Sequence, residues 1–466
     1  MHFDKKYFFL STSLFFKLLI NVFVVFYIAK MVNMSDFGSF SLAFIIASIT
    51  TSFLDYGFNL KGLVLTSKKK KEINEELSSM IFSKIIITVI ICILYFILFF
   101  FSKYDDTTNK VMSILAFSAI PASFGNFYLN SFKIINRFEK EAIGYIIQGV
   151  FLLIFLGINH FYGSKNIIYY SIILLVARVI YMLYGFFVFR KGFLKRVTFD
   201  FRKSIIAIKT ATPFGVHLIL GASIIHIDTF ILSILSTLEN VGLYQAGMRI
   251  IMASMLIAVI ISDAFIPEIS KIFENRIIVS RKLSSLFEFI LLFSGLTLLT
   301  IFFYKKTIIL LLFSQEYLVL ETSIIIIIFI ISLRYIGIVP GIILTSFGKQ
   351  IIRARAVVIS IISSVILNVI LIPIYGIKGA FLASLVTHII LNIIYVYYSQ
   401  KIISFTSKIL FPLLICIFLT NYLFQLTFFS DTMMYLVITV ILNASLICVY
   451  FVIKSKKINY KNEVQL

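Results

Sequence analysis

The chain has 466 residues, of which 60% are hydrophobic and 14% charged, with a mean hydropathy of +1.04 and a formal net charge of +21. Soluble globular proteins carry about a quarter of their residues as charges, so an ordinary soluble enzyme is excluded; a nucleic-acid-binding protein would share the charge but not the hydropathy. A polytopic membrane protein remains.

Crossing a bilayer as a helix takes about 20 apolar residues. Fourteen runs approach that length, near 10–30, 37–59, 80–101, 111–131, 142–161, 167–189, 211–235, 243–268, 286–304, 320–344, 356–374, 380–398, 409–429 and 432–453. They are continuously apolar rather than alternating, which excludes a β-barrel. Lys5 and Lys6 precede the first run as in a signal peptide, but no small-x-small cleavage site follows, so the run reads as a retained transmembrane helix. Asp105-Asp106 reads as a solvated turn. Cys92, Cys416 and Cys448 lie inside apolar runs without CxxC or His partners and read as packing residues. No metal or cofactor is expected.

About thirty of the 42 basic residues fall in alternate loops, among them Lys61, Lys133, Arg190, Arg202, Lys271, Arg353 and the tail after Lys454; about seven, including Lys30, Lys110 and Lys305, fall in the others. This asymmetry predicts cytoplasmic termini. A polar stretch, 191–210, separates a six-helix lobe over 1–190 from a second over 211–400, followed by two extra helices and a basic tail over 401–466. The halves resemble each other. Gly38 and Phe40 match Gly242 and Tyr244, Leu129-Asn-Ser-Phe132 matches Leu344-Thr-Ser-Phe347, and Tyr162-Gly163 matches Tyr375-Gly376, at offsets near 210 residues. Six helices per half make the repeats parallel. The expected fold is all-α, with 12–14 transmembrane helices and two parallel lobes around a central cavity, an architecture suited to alternating access.

Ionisable groups inside membrane spans are costly and point to function. Lys84 is expected to snorkel to the cytoplasmic interface from near its helix start. Lys17 is deeper and shares a stripe with Ser13 and Asn21. Asp55 ends a polar face of the second helix. His217 and Asp228 share a face of the seventh, whereas His226 points away and reads as packed. Arg249 shares a face of the eighth helix with Gln245 and Asp263, and Arg178 and Arg334 lie on later helices. Lys17, Asn21, Asp55, Arg178, His217, Asp228, Arg249 and Arg334 are therefore the candidate cavity residues, with buried ion pairing that only fixes helix packing as the alternative. Cationic lining favours an anionic ligand. Asp228 and His217 are the candidate proton-coupling pair.

Leu54-Asp-Tyr-Gly-Phe-Asn-Leu60, Asp36-Phe-Gly38, Val241-Gly-Leu-Tyr-Gln-Ala-Gly-Met-Arg249 with Pro267, and Asn368-Val-Ile-Leu-Ile-Pro-Ile-Tyr-Gly376 with Gly379-Ala380 together resemble the motifs of Wzx-type O-antigen flippases. These belong to the polysaccharide branch of the multidrug, oligosaccharidyl-lipid and polysaccharide exporter superfamily. The resemblance covers about 10–400. It implies a bacterial inner-membrane flippase for undecaprenyl-pyrophosphate-linked oligosaccharide in lipopolysaccharide or related biosynthesis, with membrane lipids and the pathway's polymerase and chain-length regulator as partners, no nucleic acid, and no enzymatic activity. It also implies basic residues at the lobe interface, where Arg249 falls within a motif. A cation-coupled multidrug exporter of the same superfamily is disfavoured because Lys17 would repel a cationic drug and Asp55 is the one acid in the first-lobe spans. A membrane polymerase or glycosyltransferase is disfavoured because the loops are short.

Overall fold

The computed structural model describes residues 20 and 22–405, apart from 64–69, 103, 136, 194–199 and 273. The expected spans 409–429 and 432–453, and most of 10–30, lie outside the described residues. Every regular element among the described residues is helical. In chain order these are α1 (Val22–Met31), α2 (Met34–Asp55), α3 (Phe58–Leu63), α4 (Lys70–Phe100), α5 (Asp106–Asn130), α6 (Glu139–Phe161), α7 (Ile167–Gly192), α8 (Phe201–Leu235), α9 (Leu238–Lys271), α10 (Arg276–Phe303), α11 (Lys305–Leu312), α12 (Ile324–Ile336), α13 (Ile338–Ser346), α14 (Gln350–Tyr375) and α15 (Ile377–Ile402). Short 3-10 turns cover Ser131–Ile135 and Gln315–Ser323.

Eleven described segments are long and apolar enough to cross a membrane, and each coincides with one of the expected runs. The chain is a multi-pass membrane protein. Short polar residues set several helix starts by accepting orphan backbone N–H groups. Asn33 accepts from Asp36, Asp105 from Thr107 and Thr108, Asn166 from Ile168, Asp200 from Lys203, and Asn275 from Ile278. Asp105 is therefore a helix cap within the expected turn.

By internal packing the chain forms two units, Met1–Gln245 with Asn368–Ile377, and Ala246–Leu367 with Lys378–Leu466. In the first unit α5 is the centre, packed on α2 and α7, while α6 packs on α7 and α8 on α2 and α4. The α5 span is 67% buried and the α4 span 17%, so α5 forms core and α4 presents Val89, Ile93, Phe96 and Leu98 outward. At one end, α3 packs on residues 131–135 and on α8. There Lys61 bonds Thr210, Lys203 pairs with Glu75 at 3.2 Å, and Lys133 pairs with the buried Glu141 at 2.8 Å. The basic turns thus gather at one end, consistent with the loop charge pattern. At the opposite end Ser39 meets Thr108 and Tyr104 reaches the Ser233 carbonyl.

In the second unit α10 packs on α12, and the chain breaks between α12 and α13 at Gly337. A Cβ there would come within 2.8 Å of Asn392 Oδ1, so the break is where α15 seats its amide. Asn392 Nδ2 donates to the Leu333 carbonyl at 3.0 Å.

The repeat persists in the packing. Leu129, Tyr145 and Tyr181 form one buried cluster, and Leu344, Ala356 and Tyr395, each about 210 residues further on, form another. Phe40 and Tyr244 are both buried. Gly163 and Gly376 both adopt positive φ, at 65° and 55°, which glycine permits without strain.

Candidate substrate cavity

Within the first unit a cavity of about 270 Å³ opens between α1, α2, α5, α6 and α7. Its lining follows helical spacing. Phe44, Ser48, Thr51 and Ser52 come from α2, Ala122 and Asn126 from α5, Tyr145, Gln148, Gly149 and Leu152 from α6, and Leu174, Arg178 and Tyr181 from α7, each set on one face of its helix. Ile20, Val24 and Val25 close the remaining side.

The wall is built around Asn126. Tyr145 and Tyr181 both donate to its Oδ1, at 3.3 and 3.1 Å, and their rings stack with centroids 5.2 Å apart. This wall needs glycine. A Cβ at Gly125 would stand 2.4 Å from the Tyr181 ring, and one at Gly144 would stand 3.1 Å from it. With Oδ1 occupied, the Asn126 NH2 group keeps its donors, with no hydrogen bond among the described residues.

Arg178 supplies the charge. Its Nη1 donates to Ser118 Oγ at 2.6 Å, and the guanidinium carbon sits 5.5 Å from the Phe44 ring centroid. Among the described residues it has no ion-pair partner. The described lining therefore holds one guanidinium and no carboxylate. Thr51 and Ser52 donate to carbonyls of their own helix, which leaves their oxygens able to accept. Ser48 bonds His226 at 3.2 Å, so this histidine, expected to be packed, buttresses the lining.

The other expected residues are placed elsewhere. Asp55 is buried at the end of α2 and accepts from the Asn59 N–H at 3.4 Å. Asp228 is buried on α8, where Tyr244 donates to Oδ2 at 3.0 Å and Asn368 to Oδ1 at 2.7 Å. Arg249 and Arg334 belong to the second unit; Arg249 reaches Met252 Sδ, and Arg334 acts electrostatically on His388. Lys17, Asn21 and the side chain of His217 lie outside the described residues.

Lys84 departs from its expected place at the interface. It is fully buried, about four turns from the start of α4 at Lys70, on the side of the helix that meets Leu54 and Ser123. Its ammonium donates to the Leu54 carbonyl at 2.9 Å and to Ser123 Oγ at 2.6 Å, interacts electrostatically with Asp55, and lies 5.4 Å from the Phe124 ring centroid. It thus caps the C-terminus of α2, where orphan carbonyls and the helix dipole favour a cation. There Tyr56 and Gly57 take positive φ, and Gly57 packs on Phe214 and Gly215 of α8. The Leu54–Leu60 motif encodes this break.

The sequence pattern of the polysaccharide biosynthesis protein family matches residues 3–273. The chain belongs to this family. No curated protein matches it in sequence. Among solved structures, a lipid II flippase, MurJ, in an inward closed conformation is similar with a TM-score of 0.73 and 18% identity, over 96% of this chain and 99% of that one. An inward-facing multidrug resistance MATE transporter of the MOP superfamily gives 0.65 and 13%, over 83% and 94%. A MOP superfamily transporter from Pyrococcus furiosus, described as having reversed binding-pocket polarity, gives 0.58 and 13%, over 85% and 96%. At these identities the likeness is one of fold.

The sequence reading missed Asn126, Gln148 and the tyrosine pair. Neutral amides within apolar spans, Asn126 beside Gly125 and Gln148 beside Gly149, were the available signal.

Proposed function

We propose that this member of the polysaccharide biosynthesis protein family is a flippase. It moves an undecaprenyl-pyrophosphate-linked oligosaccharide, an O-antigen or related repeat unit, from the cytoplasmic to the outer leaflet of the bacterial inner membrane by alternating access. Both termini face the cytoplasm on this reading, a polymerase and chain-length regulator act downstream, and no bond is made or broken by this chain. The observation that carries the proposal is the first-unit cavity, with one guanidinium, several neutral hydrogen-bonding groups and no carboxylate in its described lining. A cationic drug would find no counter-charge there, whereas an acidic saccharide headgroup would. Family membership and a fold shared with a lipid II flippase agree with this reading.

The test is translocation of a fluorescent polyprenyl-diphosphate-linked saccharide in vesicles containing the purified protein. Protein-dependent loss of the label's accessibility on one face is expected. Arg178→Gln should slow it about ten-fold or more, the worth of a lost charge-assisted hydrogen bond. Failure to move the lipid-linked saccharide, with uptake of a cationic dye instead, would replace this reading with a multidrug exporter.

A further inference from the structure

We infer that the cavity around Arg178 is a subsite for one singly charged acidic group on a sugar ring, a carboxylate or a phosphodiester, and not for the diphosphate of the lipid carrier. The inference rests on the flippase reading and narrows it.

Three observations converge. The first is charge. Arg178 is the one cation of the described lining, and no acid opposes it. A buried anion must be matched, and one guanidinium matches one negative charge. A diphosphate diester carries two, of which the described lining would compensate one. The geometry agrees, since Nη1 is held by Ser118 while the remaining N–H groups bond nothing among the described residues. A guanidinium edge pairs with a planar two-oxygen group.

The second observation is size and chemistry. About 270 Å³ lies below the roughly 300–1,000 Å³ of drug-sized sites, so a single ring fits and a prenyl chain does not. Around that volume stand Asn126, whose NH2 group has no hydrogen bond among the described residues, Gln148, and the hydroxyls of Thr51 and Ser52. These groups suit ring hydroxyls, which both donate and accept.

The third is the repeat. The position equivalent to Arg178 is Asn392, and both side chains reach the equivalent position on a neighbouring helix, Ser118 in one case and the Leu333 carbonyl in the other. The fold therefore closes this contact without a cation. The charge at 178 is surplus to packing and available to a ligand.

The experiment uses the full chain in lipid nanodiscs and ligand-observed saturation-transfer NMR with four probes, methyl glucuronide, a methyl glucoside phosphodiester, methyl glucoside and inorganic pyrophosphate. At least one of the two singly charged sugars is expected to bind about ten-fold or more tightly than methyl glucoside, and the tighter one identifies the acidic group. Arg178→Gln should abolish that preference, while Arg178→Lys, which keeps the charge but loses the fork, should retain part of it. Pyrophosphate should compete poorly. Equal binding of charged and neutral sugars, no binding of any sugar, stronger competition by pyrophosphate, or a preference unchanged in both variants would each overturn the inference. So would vesicles that flip neutral and acidic saccharide lipids equally well, a result that leaves the flippase reading intact.

Discussion

Gly38 and Gly242, equivalent positions of the internal repeat, pack backbone against backbone. A Cβ on Gly38 would lie 1.9 Å from the Leu238 carbonyl oxygen and 3.1 Å from the Gly242 nitrogen. A Cβ on Gly242 would lie 2.3 Å from the Met34 carbonyl oxygen. The obstructing atoms are backbone, which no rotamer change can move. Gly38→Val must therefore separate the first turns of α2 and α9. Val241 beside this contact is fully buried. A cysteine placed at 241 is expected to resist a membrane-impermeant maleimide in the parent and to react in Gly38→Val, with size-exclusion chromatography confirming that both variants fold. Equal labelling would show that the contact does not close this end.

Lys84 and Asp55 form a buried electrostatic pair on α4 and α2. Removing one leaves the other buried with less compensation, whereas replacing both with neutral groups is often tolerated. Lys84→Met should lower thermal stability in detergent strongly, and Lys84→Met with Asp55→Asn should recover much of the loss. Because the ammonium also caps Leu54, recovery should stop short of the parent. Additive losses in the double variant would refute the pairing.

Asp105 caps α5, and the Thr108 hydroxyl together with the Thr107 and Thr108 N–H groups holds its carboxyl below the usual carboxylate range. A depressed folded-state value stabilises the protein above the unfolded value of about 3.9, and the benefit fades as pH falls below it. Asp105→Ala should cost about 1 kcal/mol at neutral pH. Asp105→Asn keeps a capping oxygen and should trail the parent slightly at pH 7 and match it near pH 3. Melting curves across that range decide the matter.

Much of the fold was legible because its determinants are local. Apolar runs located the eleven described spans, and Gly163 and Gly376 marked matching turns. The repeat was visible as weak motif pairs whose residues prove to pack alike. Lys84 was misplaced because the polar stretch after Lys70 reads as a loop although it continues the helix, which carries the residue inward. The Tyr145–Asn126–Tyr181 wall, signalled only by the amide of Asn126 beside Gly125, was missed for a different reason. Its three members are neutral, lie on three helices, and acquire a role only when Gly125 and Gly144 let the rings approach. Arg178 stood out by charge alone, but nothing local distinguished it from Arg334.

An internal repeat places some positions twice, and the two copies need not carry the same residue. At 178 and 392 the two copies have diverged. Asn392 fastens α15 to a helix break through neutral hydrogen bonds, and Arg178 keeps a similar tether while carrying charge toward a cavity. The same contact thus serves as a neutral tether in one half of the chain and as a charged group beside a cavity in the other, so a substitution at 178 alters the cavity while the tether at 392 is untouched.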